Sequence, residues 1–169
     1  MNSQEETMPG KSPIRPTDDE ARALARRLID QAPFGALGVI DHETGTPMVT
    51  RVAVGTDAQG CPVSLVSDLS AHTRALKANP ACSLLVGEPM EKGDPLTHPR
   101  VTVQATARFL RKGEEGYDAM RARWLSNHRK SALYIDFLDF SFIMLEVEGA
   151  YLNGGFGKAF VLTPADLGL

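Results

Sequence analysis

The residues best suited to chemistry lie together in one short stretch, "SDLSAHTRALKANP", at positions 67–80. It gathers hydroxyl, imidazole and guanidinium groups on five side chains: Ser67, Ser70, His72, Thr73 and Arg74. The spacing predicts a helix with Ser70 as its N-cap, ending before Asn79-Pro80. A helix N-terminus offers free N–H groups and a partial positive charge, so this stretch is suited to holding an anion such as a phosphate.

A further cation lies upstream, where Arg51 falls in "TRVAV", a predicted strand one hairpin away from Ser67. A cation on a strand, a hydroxyl at a strand end and a helix N-terminus would then meet at one phosphate. The alternative from the residues alone is plainer. Ser70 would only cap its helix, while Arg74 and Lys77 would lie on the solvated outer face.

The run from Arg51 to Pro80 resembles the flavin-binding core of the pyridoxamine 5′-phosphate oxidase-like FMN-binding split barrels. In that family an early strand Arg, a Ser or Thr at the next strand end, and a Ser-x-Lys at the helix start hold the FMN phosphate. In this sequence His72 stands at the position of the lysine of that Ser-x-Lys pattern. The resemblance implies FMN as cofactor and this set of binding residues: Arg51, Val52, Ser67, Ser70, His72, Thr73 and Arg74. Since histidine titrates near pH 6.5, FMN should bind more tightly below about pH 6.5 than above it.

Two further segments, "SAHTRALKANPACSLLV" and "GGFGKAFVL", resemble the haem-utilisation branch of the same family. Members of that branch bind haem, and some degrade it. The branch places its haem-ligating histidine in a C-terminal tail, whereas this sequence ends in "LTPADLGL" with no histidine after His128. The leading hypothesis is therefore an FMN-dependent oxidoreductase with an unknown small-molecule substrate. The alternatives are a haem-binding or haem-degrading protein, and a flavin-binding protein without turnover.

The remaining candidates give no catalytic site. No nucleophile and base can be paired, so no catalytic residue is predicted. The other histidines lack metal-ligand spacing, so no metal site is predicted: His42, His98 and His128. Asp136 and Asp139 are expected to cap or solvate a short helix. The glycine-rich "NGGFGKA" lacks the spacing of a phosphate-binding loop and predicts a hairpin, which the resemblance places near the flavin.

The order of the elements indicates the fold that must position these residues. A polar leader at 1–15, expected to be disordered, precedes a single domain at 16–169. A helix capped by Thr17, with Glu20 completing a capping box, leads into strands joined by hairpins. Consecutive hairpins imply antiparallel pairing. The sequence predicts an α+β fold, an antiparallel six- to seven-stranded split β-barrel with flanking helices.

Composition narrows the partners. The net charge of −3 argues against nucleic acid, and no apolar run is long enough to span a membrane. The first residues lack a secretory signal and the two cysteines lie outside any CxxC pattern, so a cytoplasmic protein with reduced thiols is expected.

The run "FSFIML", at 140–145, predicts a strand that is covered on both faces. A partner chain in a homodimer would cover it, or else the helix that carries Trp124.

Overall fold

The computed structural model describes residues 13–169. The predicted disorder of the leader falls, for residues 1–12, outside the described residues. Its last residues do make contacts, since Ile14 bridges to Ala159 and the Arg15 N–H donates to the Ala159 carbonyl at 2.8 Å. No helix within the described part of the chain has the length and apolar character needed to cross a membrane.

Helices flank one antiparallel sheet. Residues 13–169 contain three α-helices, α1 (Asp19–Gln31), α2 (Ala71–Ala78) and α3 (Tyr117–Asn127). The strands are β1 (Phe34–Ile40), β2 (Pro47–Ala53), β3 (Gly55–Thr56), β4 (Pro62–Ser67), β5 (Ala81–Val86), β6 (Arg100–Leu110), β7 (Phe140–Asn153) and β8 (Ala159–Leu162). They pair in the order β2-β1-β5-β6-β7-β4-β3, with β8 added on β7. The predicted α+β split barrel is confirmed. Residues 13–169 form eight strands instead of the six or seven predicted, and the additional one is the two-residue β3.

The start of α1 differs from the prediction by one residue. The N-cap is Asp18, whose carboxylate accepts the Ala21 N–H at 2.8 Å. The Thr17 hydroxyl instead donates to the Val161 carbonyl of β8 at 2.9 Å. Thr and Asp are both favoured at an N-cap. Asp18 rather than Thr17 caps α1 because the Thr17 hydroxyl is bound to β8, a strand distant in sequence.

Two hydrophobic cores share strand β7. Ile143 and Leu145 point into the barrel core, while Phe142 and Met144 point into a second core beneath α3. Trp124 of α3 is 2% exposed and meets Phe142 edge-on, with ring centroids 5.6 Å apart. The doubly apolar stretch at 140–145 is thus covered within one chain, so it gives no evidence for a partner chain.

On the side of the sheet away from the barrel core, α3 covers only the end that carries Phe142 and Met144. The other end of that side, which we call the outer face, is formed by two rows of residues. One row of directly paired residues crosses it: Arg51, Ala36, Leu85, Thr102, Tyr151 and Val161. The next row is Val49, Gly38, Ser83, Gln104 and Gly149. Val49 is 69% exposed and Tyr151 is 51% exposed, so apolar side chains on this face meet solvent.

Candidate functional site

Helix α2 begins where β4 ends, as the sequence predicts. Ser70 is its N-cap, with extended backbone angles, and the Ser70 hydroxyl makes no capping hydrogen bond. The Ser70 carbonyl accepts the N–H groups of Thr73 and Arg74 at 3.1 and 3.2 Å. Since the first N–H groups of a helix have no acceptor within it, this end of α2 keeps donors for a ligand.

His72 connects this helix start to strand β2. Its Nδ1 lies 3.1 Å from the Thr50 hydroxyl oxygen. The imidazole is half-buried, and burial lowers its pKa below the ordinary value of 6.5, because the charged form loses hydration. Burial therefore favours the neutral form of His72. When Nδ1–H donates to Thr50, the lone pair of Nε2 is free to bind a ligand.

Ser67 is already hydrogen-bonded to a carboxylate. Its hydroxyl donates to the Asp139 side chain, and it accepts the Leu69 N–H at 3.1 Å. The Asp139 carbonyl also accepts the Asp68 N–H, at 2.7 Å. The turn before α2 is thus fastened to the turn before β7, and a negative charge lies at the hydroxyl expected to hold phosphate. Sequence reasoning expected Asp139 only to cap or solvate and missed this role.

Arg51 and Val52 lie apart from the contact between His72 and β2. Strand side chains alternate, so Arg51 points to the face opposite Thr50. Its guanidinium carbon lies 5.2 Å from the centroid of the Phe34 ring, on the outer face. Val52 is 7% exposed and belongs to the barrel core. The structure therefore places neither side chain beside His72.

Thr73 and Arg74 occupy opposite faces of α2. Thr73 is fully buried, and its hydroxyl has no hydrogen-bond partner within residues 13–169. Arg74 is exposed and donates to the Leu69 carbonyl at 2.7 Å. Lys77, one turn later, pairs with Asp68 at 2.7 Å. Of the predicted set, the site keeps Ser70, His72 and Arg74 accessible, whereas the Thr73 hydroxyl is enclosed.

Apolar side chains project beside the helix start. Leu69 is 79% exposed, Phe137 is 58% exposed and Leu138 is 98% exposed. Their two turns are the ones that Asp139 fastens together. A cleft of about 300 Å³ lies along the turn before β7. It is lined by two cations, two carboxylates, three apolar side chains and one hydroxyl: Arg111, Lys112, Asp68, Asp139, Phe137, Leu138, Phe140 and Ser141. The run "FLDF", at 137–140, is the only sequence signal for this surface. The same run is equally typical of a buried helix, so it does not predict exposure.

His128, His98 and Asp136 make contacts that hold the fold together. His128 Nε2 lies 2.8 Å from the Val54 carbonyl and its ring stacks on Trp124. His98 accepts the Met90 N–H at 2.9 Å through Nδ1. Asp136, grouped with Asp139 by sequence, forms a two-bond pair with Arg121. Among residues 13–169, no three His, Cys, Asp or Glu side chains are arranged to hold a metal ion.

Known proteins are similar to this chain over most of its length. A plant relative, the chloroplastic haem oxygenase HOZ of Arabidopsis thaliana, is 35% identical over 137 residues, which are 80% of this chain and 41% of the relative. This chain thus spans less than half the length of that protein. A haem-binding protein from Mycobacterium smegmatis is 30% identical, with a TM-score of 0.79, over 92% of this chain and 61% of its own.

A more distant structure shares only the fold. The haem storage protein HutZ of Vibrio cholerae is 20% identical, with a TM-score of 0.66, over 82% of this chain and 95% of its own. The resemblance to split barrels, including the haem-utilisation branch, is confirmed. The family described as CREG, beta-barrel matches residues 16–167, nearly all of the described chain. The chain belongs to the CREG beta-barrel family.

Proposed function

We propose that this protein binds haem at the N-terminal end of α2. The observation that carries the proposal is the relationship to two proteins named for haem, at 35% and 30% identity over most of this chain. This reading favours the alternative from the sequence over the leading hypothesis, an FMN-dependent oxidoreductase.

The residues present at α2 suit a haem. A bound haem supplies a redox-active iron, and a neutral imidazole is a common iron ligand. Of the four histidines, His72 is the one that is half-buried with an Nε2 that has no protein partner in residues 13–169, and burial favours its neutral form. The exposed Leu69, Phe137 and Leu138 offer apolar surface to a porphyrin, and Arg74 offers a cation to a propionate.

FMN is the second candidate, supported by the uncapped Ser70 hydroxyl at a helix start. The Asp139 carboxylate opposes it, because it occupies the Ser67 hydroxyl and would repel a phosphate dianion. Arg51, on the outer face, would have to swing around the edge strand β2 to reach the same phosphate. A flavin-binding protein without turnover meets the same difficulty at the phosphate.

We propose in addition that two chains associate through the outer face. The outer face supplies apolar, weakly charged surface in its two rows, with Gly38 and Gly149 leaving space for close approach. A stable interface of this kind should bury more than about 2,000 Å² in total. Light scattering that gives a mass near 18.3 kDa at micromolar concentration would contradict the dimer.

The haem proposal is tested by titrating purified protein with hemin while recording the visible spectrum. Binding predicts a shifted Soret band that saturates at one haem per chain. His42→Ala serves as a control, because His42 lies in the exposed hairpin turn after β1, whereas His72→Ala should lose the shift. A spectrum that only adds free hemin would overturn the proposal.

A further inference from the structure

A second cleft lies between helix α1 and the turn that joins β7 to β8. Its volume is about 210 Å³. Three cations line it, Arg15, Arg27 and Lys158. Its apolar lining comes from Ala21, Leu24 and Phe160. Cationic and apolar groups in one concave site are the usual features of a small-ligand pocket.

The three cations are not used by the fold. Within residues 13–169, none of their side chains makes an ion pair or a hydrogen bond. Two neighbouring arginines of α1 behave differently. Arg22 pairs with Asp166 at 2.8 Å, and Arg26 pairs with Asp30 at 2.9 Å and reaches the Gly60 carbonyl. The helix thus divides its arginines between structural pairs and the cleft.

Two carboxylates also line the cleft, and they do not cancel its positive charge. Asp18 is engaged in capping α1 through the Ala21 N–H. Glu20 is exposed and makes no ion pair within residues 13–169. Three cations against two carboxylates leave a positive site in a chain whose net charge is −3.

Glycine keeps the cleft open. A Cβ at Gly154 would lie 3.4 Å from Leu24 Cδ2 and 3.5 Å from Lys158 Cβ, so a larger side chain there would fill the space. Gly157 has a φ of +67°, which favours glycine, and a Cβ there would come within 3.9 Å of the Arg15 guanidinium. The turn "NGGFGKA" therefore forms a wall of the cleft and supplies Lys158.

We infer that this cleft binds a small organic phosphate. The dianionic head would meet Arg15, Arg27 and Lys158, and a short apolar body would lie on Leu24 and Phe160. Its volume lies below the roughly 300–1,000 Å³ of pockets for drug-sized ligands, so a haem or a flavin is too large for it. The site is separate from the one proposed at α2, and neither depends on the other.

Calorimetric titration with phenyl phosphate, inorganic phosphate and phenol tests the inference. Phenyl phosphate should bind more tightly than inorganic phosphate, and phenol should not bind measurably. Arg27→Gln and Lys158→Gln should each weaken phenyl phosphate by at least about tenfold. Lys130→Gln, which removes an exposed cation from the segment after α3, is the matched control and should leave affinity unchanged.

A blocking variant gives an independent readout. Gly154→Val should abolish phenyl phosphate binding while the circular dichroism spectrum and hemin titration stay as in the parent protein. Equal binding of phenol and phenyl phosphate would overturn the inference. So would an equal loss of affinity in Lys130→Gln and Lys158→Gln, because the attraction would then be that of surface charge in general.

Discussion

The Thr50 hydroxyl lies 3.1 Å from His72 Nδ1, and this contact joins strand β2 to the first turn of helix α2. It fixes the imidazole at one nitrogen and leaves the other unpartnered within the described residues. The two residues are separated by 22 positions, so the contact exists only because the barrel brings β2 to the helix start. It is the geometric basis for assigning a ligand role to His72.

Removing the imidazole should weaken haem binding. We expect His72→Ala to reduce hemin affinity by at least about tenfold, because a lost iron ligand is not replaced by a methyl group. Thr50→Val should cause a smaller loss, since the imidazole remains but loses its anchor. Soret titrations measure both, and His42→Ala should match the parent. Equal affinity in His72→Ala and the parent would remove His72 from the site.

The Asp139 carboxylate should suppress FMN binding. Asp139→Ala frees the Ser67 hydroxyl and removes a negative charge near the expected phosphate position, so FMN affinity should rise by about tenfold. Flavin fluorescence quenching measures it. Asp136→Ala changes the charge equally but breaks only the pair with Arg121, and it should leave FMN affinity unchanged. A fall in FMN affinity in Asp139→Ala would show that the carboxylate helps the flavin.

Asp166 should make stability depend on pH in acid. The Thr163 N–H and the Arg22 guanidinium lower the pKa of Asp166 from 3.8 to about 2. A depressed carboxyl pKa stabilises the fold above pH 3.8, and this contribution is lost as the pH falls towards about 2. Asp166→Asn should therefore have a lower Tm than the parent at neutral pH, and the difference should shrink through that window. A Tm difference that stays constant down to pH 2 would exclude this linkage.

Two glycines of β1 should respond differently to one methyl group. A Cβ at Gly35 would lie 2.8 Å from the Leu85 carbonyl oxygen, which belongs to a paired strand and cannot move aside. Gly35→Ala should cost about 1–3 kcal/mol of unfolding free energy. A Cβ at Gly38 would meet the Ser83 hydroxyl at 2.8 Å, which can rotate away, so Gly38→Ala should cost less than about 1 kcal/mol. Urea titrations that rank the two variants in the opposite order would contradict this reading.

The elements of this fold could be predicted because each has a local cause. Alternating apolar residues in "RVTVQATARFL" match β6, and Asn79-Pro80 ends α2, whose last residue is Ala78. The N-cap of α1 could not be predicted, because Thr17 and Asp18 are both suitable and a strand far along the chain decides between them. The burial of β7 at 140–145 could be predicted from its apolar run, and the helix that carries Trp124 is one of two predicted covers, but the sequence could not decide between that helix and a partner chain.

The candidate site could be predicted only in part, for a similar reason. Ser70, His72 and Arg74 share one helix start, so their neighbourhood follows from sequence. The Asp139 bond to Ser67 spans 72 residues and depends on the pairing of β4 with β7. Successive residues of a strand alternate between the two faces of the sheet. A motif match identifies Arg51 but does not show on which face its side chain lies. The sequence could not show that Phe137 and Leu138 are exposed, because apolar residues of these types are usually found in the core.

Haem binding at the start of α2 is tested by titrating one protein preparation with hemin and with FMN in parallel. Haem binding through His72 predicts a shifted Soret band that saturates at one haem per chain and is absent in His72→Ala. It predicts that FMN at the same concentration keeps its free fluorescence. Quenched flavin fluorescence at one FMN per chain, with hemin giving only the spectrum of free hemin, would contradict the account and return the protein to the flavin-dependent class.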